Sequence, residues 1–203
     1  MPKHLLAGLE RFSRDHFPLY RDHYERLVAE GQRPTTLFIG CSDSRVLPNL
    51  ITDTGAGELF MIRNLGNFVP PFEPDEGFHG TSAAVEFAVL TLRVTDIVVC
   101  GHTHCGAVRA LYEPPAPATP HITRWLELGR EALLEGPVTE TLLRRTEHRS
   151  VVLQITRLLS YPMVRERVDA GELSLHGWCY VIEAGRVDIL DVARGEFVPA
   201  YSS

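Results

Sequence analysis

The chain has 203 residues, 44% of them hydrophobic and 23% charged, the balance of a globular fold able to bury roughly 70% of its unfolded surface. A net charge of −6 with no clustered basic stretch argues against a nucleic-acid partner, and no apolar run approaches the ~20 residues that span a bilayer. The opening "MPKHLLAGLERF" lacks the continuous apolar segment of a secretory signal, so a cytoplasmic protein is expected, with one domain over residues 1–203.

From Pro2 to Gly31 apolar residues recur at three- and four-residue steps and Pro18 interrupts them, which predicts two helical pieces forming an arm over residues 1–31. "TTLFIGC", ending at Cys41, reads as a short buried strand; "ELFMIRN" is a second and "TDIVVCGH" a third. Between the last two lies "GTSAAVEFAVLTL", a helix for which Thr81 or Ser82 offers a cap. After Cys105 come a short helix to Leu111 and the proline-rich loop "EPPAPATP". Two more helices follow, near Ile122 to Leu134 and Glu140 to Leu159, the second with a strong apolar face. The chain closes on two strands joined at Glu183 to Arg186. Strands alternating with helices imply an α/β fold with a mostly parallel central sheet flanked by helices, and a C-terminal edge strand.

Four cysteines, Cys41, Cys100, Cys105 and Cys179, could make two disulfides, but in a reducing compartment metal binding or plain burial is the better reading. Cys41 and His102 each end an apolar strand directly after a glycine. Ligands of open parallel sheets bind at that edge, so Cys41 can meet His102 and Cys105 there. Two thiolates and one imidazole with an open fourth position form a catalytic zinc pattern. The spacings of an iron–sulfur cluster, the motifs of a zinc deaminase and a dinucleotide-binding glycine fingerprint are all missing. In "CSDSR", Asp43 and Arg45 stand two apart and can pair, which would keep Asp43 ionised and useless as a general base near neutrality. Such a carboxylate either accepts a hydrogen bond from zinc-bound hydroxide or binds the zinc itself. "CGAVRAL" is expected to start a helix whose first amides favour charge on the Cys105 thiolate and on a bound anion, with Gly106 permitting close approach.

"CSDSR" and "GHTHCGA", with "RVLPNLIT", "GELFMIRNLGNFVPPF", "GTSAAVEFAV" and "HGWCY", resemble the β-class carbonic anhydrases of bacterial and cyanobacterial type from about Gln32 to Tyr180. The resemblance implies one zinc per chain on Cys41, His102 and Cys105, with Asp43 and Arg45 as the catalytic dyad. The implied reaction is reversible hydration of carbon dioxide to bicarbonate and a proton by attack of zinc-bound hydroxide. It also implies that Gln32 contacts substrate across a dimer interface, that Phe60, Leu65 and Phe87 line a small apolar pocket, and that the enzyme is a homodimer or a dimer of dimers. Some bacterial members carry a non-catalytic bicarbonate site of Trp, Arg and Tyr; here Arg63 and Tyr180 match, but Phe38 replaces the Trp, so an always-open enzyme without that site is expected. The shuttle that passes the proton to buffer has no clear sequence candidate; His104 adjoins the ligands. The rival readings are hydrolysis of CS2 or COS on the same scaffold, and a catalytically silent zinc-binding protein.

Overall fold

The computed structural model describes all residues except Met1, Glu76, Phe78, Pro114, Pro115, Pro117, Ser202 and Ser203, so three prolines of the "EPPAPATP" loop lie outside the described residues. The chain divides into two compact units, Met1–Arg33 and Pro34–Ser203. In the first, α1 (Lys3–Arg11) runs through a π-helical turn over Phe12–His16 into α2 (Phe17–Glu30). Pro18 sits in the first turn of α2, directly after the π-helical turn in which the Phe17 N–H bonds the Phe12 carbonyl, so the helical run continues past the N–H that proline lacks. Gly31 ends α2 with a φ of 77°. No residue of either helix is buried within this unit, and Leu5, Leu9, Phe12, Leu19, Tyr20 and Val28 are exposed.

The second unit carries β1 (Thr36–Cys41), α3 (Pro48–Thr52), β2 (Leu59–Asn64), α4 (Gly80–Glu86), β3 (Asp96–His102), α5 (Gly106–Tyr112), α6 (Pro120–Leu126), α7 (Glu140–Leu158), α8 (Pro162–Asp169), β4 (Ser174–Val181), β5 (Arg186–Asp191) and β6 (Glu196–Pro199). The strands form one sheet in the order β2-β1-β3-β4-β5-β6. The first four are parallel, and β5 and β6 are antiparallel additions. The expected parallel α/β sheet is therefore present. The C-terminal edge is formed by β6, a third late strand too short to stand out in the sequence.

β1 and β3 consist almost wholly of buried residues, as strands covered on both faces must. Leu37, Ile39, Ile97 and Val99 belong to a core completed by Val85 and Val89, by Val151 and Leu158 of α7, and by Tyr161 and Val164. α7 lies hard against β3: a Cβ on Gly101 would stand 2.7 Å from Val151 Cγ2. The expected apolar face of α7 is more mixed than the sequence suggests, since Thr146, Glu147, Ser150 and Gln154 are buried along with Leu143 and Val151. Thr139 caps α7 by accepting the Leu142 N–H at 3.2 Å. Thr81 and Ser82 do not cap α4. Thr81 Oγ1 accepts from Asn64 Nδ2 at 3.2 Å and Ser82 Oγ pairs with Tyr161 Oη at 2.8 Å, so both hydroxyls are spent on tertiary contacts. α4 then continues as a π-helical stretch over Phe87–Leu92, and the helix expected from Ile122 gives way to a 3-10 segment over Glu127–Ala132. No helix among the described residues is long and apolar enough to cross a membrane.

This strand order positions the site. From β1 the chain goes outward to β2, returns to β3 on the other side of β1, and proceeds outward to β4. The direction reverses between β1 and β3, and at such a switch point the carboxyl ends of the two strands open a crevice. Cys41 ends β1 and His102 ends β3.

Candidate metal centre

Cys41, His102 and Cys105 come together in that crevice, their ligand atoms all within 4.8 Å of one another and all three residues buried. Cys41 and Cys105 share an apolar cluster with Phe68, Ala107, Val108, Leu126 and Leu143. His102 Nδ1 lies 2.9 Å from the Thr103 carbonyl oxygen, which can only accept, so Nδ1 carries the proton. Nε2 is left buried with its lone pair and no hydrogen-bond partner. An unpaired buried nitrogen beside two thiols is costly unless a metal occupies the space between them.

The two thiols share protons unevenly. Cys41 is pulled down to about 4, chiefly by hydrogen bonding from Cys105 and further by the backbone at Asp43 and Gly66. Cys105, as the donor and by burial, is pushed well up, while the amides of Val108 and Ala107 work against that rise. α5 thus aims its first-turn N–H groups at the Cys105 sulfur, as the sequence implied. A bound cation would deprotonate both thiols. Cys100, by contrast, is fully buried and pushed up to about 12 by desolvation, and Cys179 is pushed up for the same reason. All four cysteines are free. Two form the site and two are core.

Asp43 and Arg45 form a two-pronged pair, Nε to Oδ1 at 2.9 Å and Nη2 to Oδ2 at 2.7 Å, and the Arg45 N–H also donates to Oδ1 at 2.9 Å. The guanidinium holds the Asp43 carboxyl well below the usual carboxylate range. Arg45 Nη2 further donates to the His104 carbonyl at 3.1 Å, tying the loop after β1 to the loop after β3. Arg63 reaches across from β2, Nε donating to the Cys41 carbonyl at 2.9 Å and Nη2 to that of Asp43 at 2.7 Å. Phe38 is fully buried with its ring edge-on to Trp178, centroids 6.2 Å apart. Gly66, at a φ of 78°, faces the same loops, since a Cβ there would lie 2.9 Å from the Ala107 Cβ.

Among the expected substrate contacts, the structure brings Phe60 and Phe87 together with ring centroids 5.6 Å apart. Leu65 is exposed at the end of β2, and its carbonyl accepts from Trp125 Nε1 at 2.7 Å. Gly106 opens α5 with exposed backbone, and a Cβ there would meet nothing within 4 Å, so no steric demand for glycine exists within the chain. Gln32 is exposed just after α2, within the first unit. His104 is exposed at a φ of 57°, its ring 3.5 Å from Glu140 and 3.6 Å from Glu183.

Residues 36–187 match the family model described as carbonic anhydrase. The chain belongs to the carbonic anhydrase family. A carbonic anhydrase of Synechococcus elongatus is 40% identical over 94% of this chain and 71% of its own length; one of Pseudomonas aeruginosa is 42% identical over 96% and 90%. Among solved structures, the β-carbonic anhydrase CcaA superposes with a TM-score of 0.89 at 39% identity, over 98% of this chain and 92% of that one. One of two tetrameric β-carbonic anhydrases from Sordaria macrospora gives 0.73 at 28% identity, over 93% of each chain. The chain is thus an enzyme of the carbonic anhydrase family with a β-carbonic anhydrase fold, and its Cys-His-Cys group could hold the metal such a fold uses.

Glu147, absent from the residues that the sequence singles out, lies on α7 with 3% of its surface exposed and accepts the Cys105 N–H at 3.0 Å. Burial pushes its carboxyl up, while the Cys105 N–H and Arg144 oppose the rise. Its burial follows from tertiary contacts to Arg144 and the Cys105 N–H, which leave no local signal in the sequence.

Proposed function

We propose that this chain catalyses the reversible hydration of carbon dioxide to bicarbonate and a proton, using one zinc ion held by Cys41, His102 and Cys105. The observation that carries the reading is the Asp43–Arg45 pair bridged to the His104 carbonyl, which sets an ionised carboxylate beside a buried two-sulfur, one-nitrogen donor set. Zinc in such a site supplies Lewis acidity that makes water a nucleophile near neutral pH. Both Asp43 oxygens accept from Arg45, so the carboxylate is turned away from the role of fourth ligand, which supports an open position. Held ionised, Asp43 acts as a hydrogen-bond acceptor that orients the attacking oxygen rather than as a base. Arg45 keeps that acceptor charged and fixed.

Phe60 and Phe87 offer an apolar face suited to carbon dioxide, with Leu65 completing the pocket. The exposed backbone of Gly106 offers an N–H to bicarbonate, and Gln32 contacts substrate across the interface of a homodimer or dimer of dimers. The whole chain then acts as a single domain with an arm, working in the cytoplasm. Engagement of Arg63 with two backbone carbonyls and of Phe38 with Trp178 supports an enzyme lacking the non-catalytic bicarbonate site.

Stopped-flow hydration of carbon dioxide by metal-quantified protein, from about pH 6.5 to 9, tests the reading. Two thiolates donate more charge than three imidazoles, so the rate is expected to rise toward alkaline pH at one zinc per chain. Full zinc with no hydration across the range would reject it and leave CS2 or COS hydrolysis, or a silent zinc protein, to be assayed next.

A further inference from the structure

The four-residue stretch from His102 to Cys105 is gripped at two points by one arginine acting through two carboxylates. Arg144 of α7 donates from Nη1 to Glu147 Oε2 at 3.1 Å and from Nη2 to Glu183 Oε1 at 3.3 Å. Glu147 Oε1 accepts the Cys105 N–H at 3.0 Å. Glu183 Oε2 accepts from Thr103 Oγ1 at 2.7 Å, and that hydroxyl accepts the Ile182 N–H at 3.0 Å. Thr103 is fully buried and Glu147 nearly so.

A neutral side chain would suffice if the Cys105 N–H needed only an acceptor. The same helix supplies one two turns further on, where Gln154 Oε1 accepts the buried Val69 N–H at 2.8 Å. A buried carboxylate is the costlier choice and persists only with compensating partners. Its added property is charge: a charge-assisted hydrogen bond is shorter and stiffer than a neutral one, and a fixed anion behind a ligand complements a dication in front of it.

We infer that Glu147, anchored by Arg144, is a positioning residue that holds Cys105 in ligating geometry and raises the affinity of the three-residue site for zinc. The inference rests on the reading of Cys41, His102 and Cys105 as metal ligands. Removing partners that orient metal ligands typically weakens metal binding about 10- to 100-fold. Glu147→Ala is therefore expected to weaken zinc binding by about that factor, and Glu147→Gln, which keeps an acceptor without the charge, by several-fold.

The experiment is zinc competition against a chromophoric chelator with the full chain, at a temperature where circular dichroism shows each variant folded. Tyr161→Phe is the control for lost stability alone, since it removes a hydroxyl that bonds the Pro70 carbonyl and Ser82 on another part of the core. It is expected to bind zinc as the wild type does. Cobalt-substituted protein adds a readout of the sulfur–metal bonds: the thiolate-to-cobalt charge-transfer band is expected to shift or weaken in Glu147→Ala and not in Tyr161→Phe. Wild-type protein that takes up no zinc would overturn the metal reading and this inference together. Wild-type protein that binds zinc while Glu147→Ala stays within about twofold of it, with an unchanged cobalt band, would overturn the inference alone. If Glu147→Ala does not fold, Glu147→Gln decides by the same criterion.

Discussion

Replacing Gly66 by alanine tests whether the loop after β2 shapes the metal centre. The backbone at Gly66 has a φ of 78°, which costs an L-residue about 1–2 kcal/mol. The new Cβ would also fall 2.8 Å from Phe68 Cζ and 2.9 Å from the Ala107 Cβ, both in the apolar cluster that encloses Cys41 and Cys105. Overpacking of that kind costs about 1–3 kcal/mol, so the total is about 2–5 kcal/mol. At about 2–4 °C per kcal/mol for a chain of this size, the melting temperature is expected to fall by on the order of 10 °C. Zinc affinity is expected to fall with it, because the Gly66 backbone donates toward the Cys41 sulfur. Thermal unfolding followed by circular dichroism gives the first quantity and chelator competition the second. Gly106→Ala is the internal comparison: with nothing within 4 Å of its Cβ, its stability is expected to stay within about 1 kcal/mol of wild type. A Gly66→Ala protein that melts within about 2 °C of wild type would refute the steric reasoning.

Asp43→Asn keeps the side-chain volume but removes the charge paired with Arg45, and is expected to lower kcat/KM for hydration about 10²-fold with zinc content unchanged; a loss of only a few-fold would deny Asp43 an orienting role. His148 stacks on Phe197 at 4.2 Å with Nε2 buried and unpaired, and burial lowers its pKa below the ordinary 6.5, with the Arg144 charge adding to the effect. The unfolded chain therefore binds a proton that the folded one refuses, so stability is full above about pH 6.5 and declines as the pH falls below it, by at most about 1.4 kcal/mol per pH unit for one proton. Denaturant midpoints of His148→Gln between about pH 7 and 5 are expected to fall less steeply than those of wild type, and parallel slopes would exclude this residue.

The strands that carry the candidate ligands were legible because they are short, mostly apolar and stopped by glycine, and because Cys41 and His102 fall at the same end. The pairing of Asp43 with Arg45 was legible from their two-residue spacing. Other features carried no local signal. α8 and β6 are short, and β6 depends on the edge that β5 offers it. The hydroxyls of Thr81 and Ser82 look like caps in sequence, but Asn64 and Tyr161, distant along the chain, claim them. Glu147, within "RRTEHRS", is buried because Arg144 and the Cys105 N–H, neither visible as its partner in sequence, satisfy its oxygens. The substrate contacts assigned to Gln32 came through likeness to a family alone, and nothing in its neighbouring residues would have singled it out.

β1 and β3 pair in parallel with Gly40 opposite Cys100, and a slip of one residue in either strand would turn every side chain of that strand to the opposite face of the sheet. Cys41 would then point away from His102. The three donors converge only in one alignment of two strands that are remote in sequence and held by a long crossover through β2 and α4. Any ion they retain is accordingly a checksum on folding: a chain that has paired its strands out of step has no place to keep it, and its emptiness marks it apart from its correctly assembled copies.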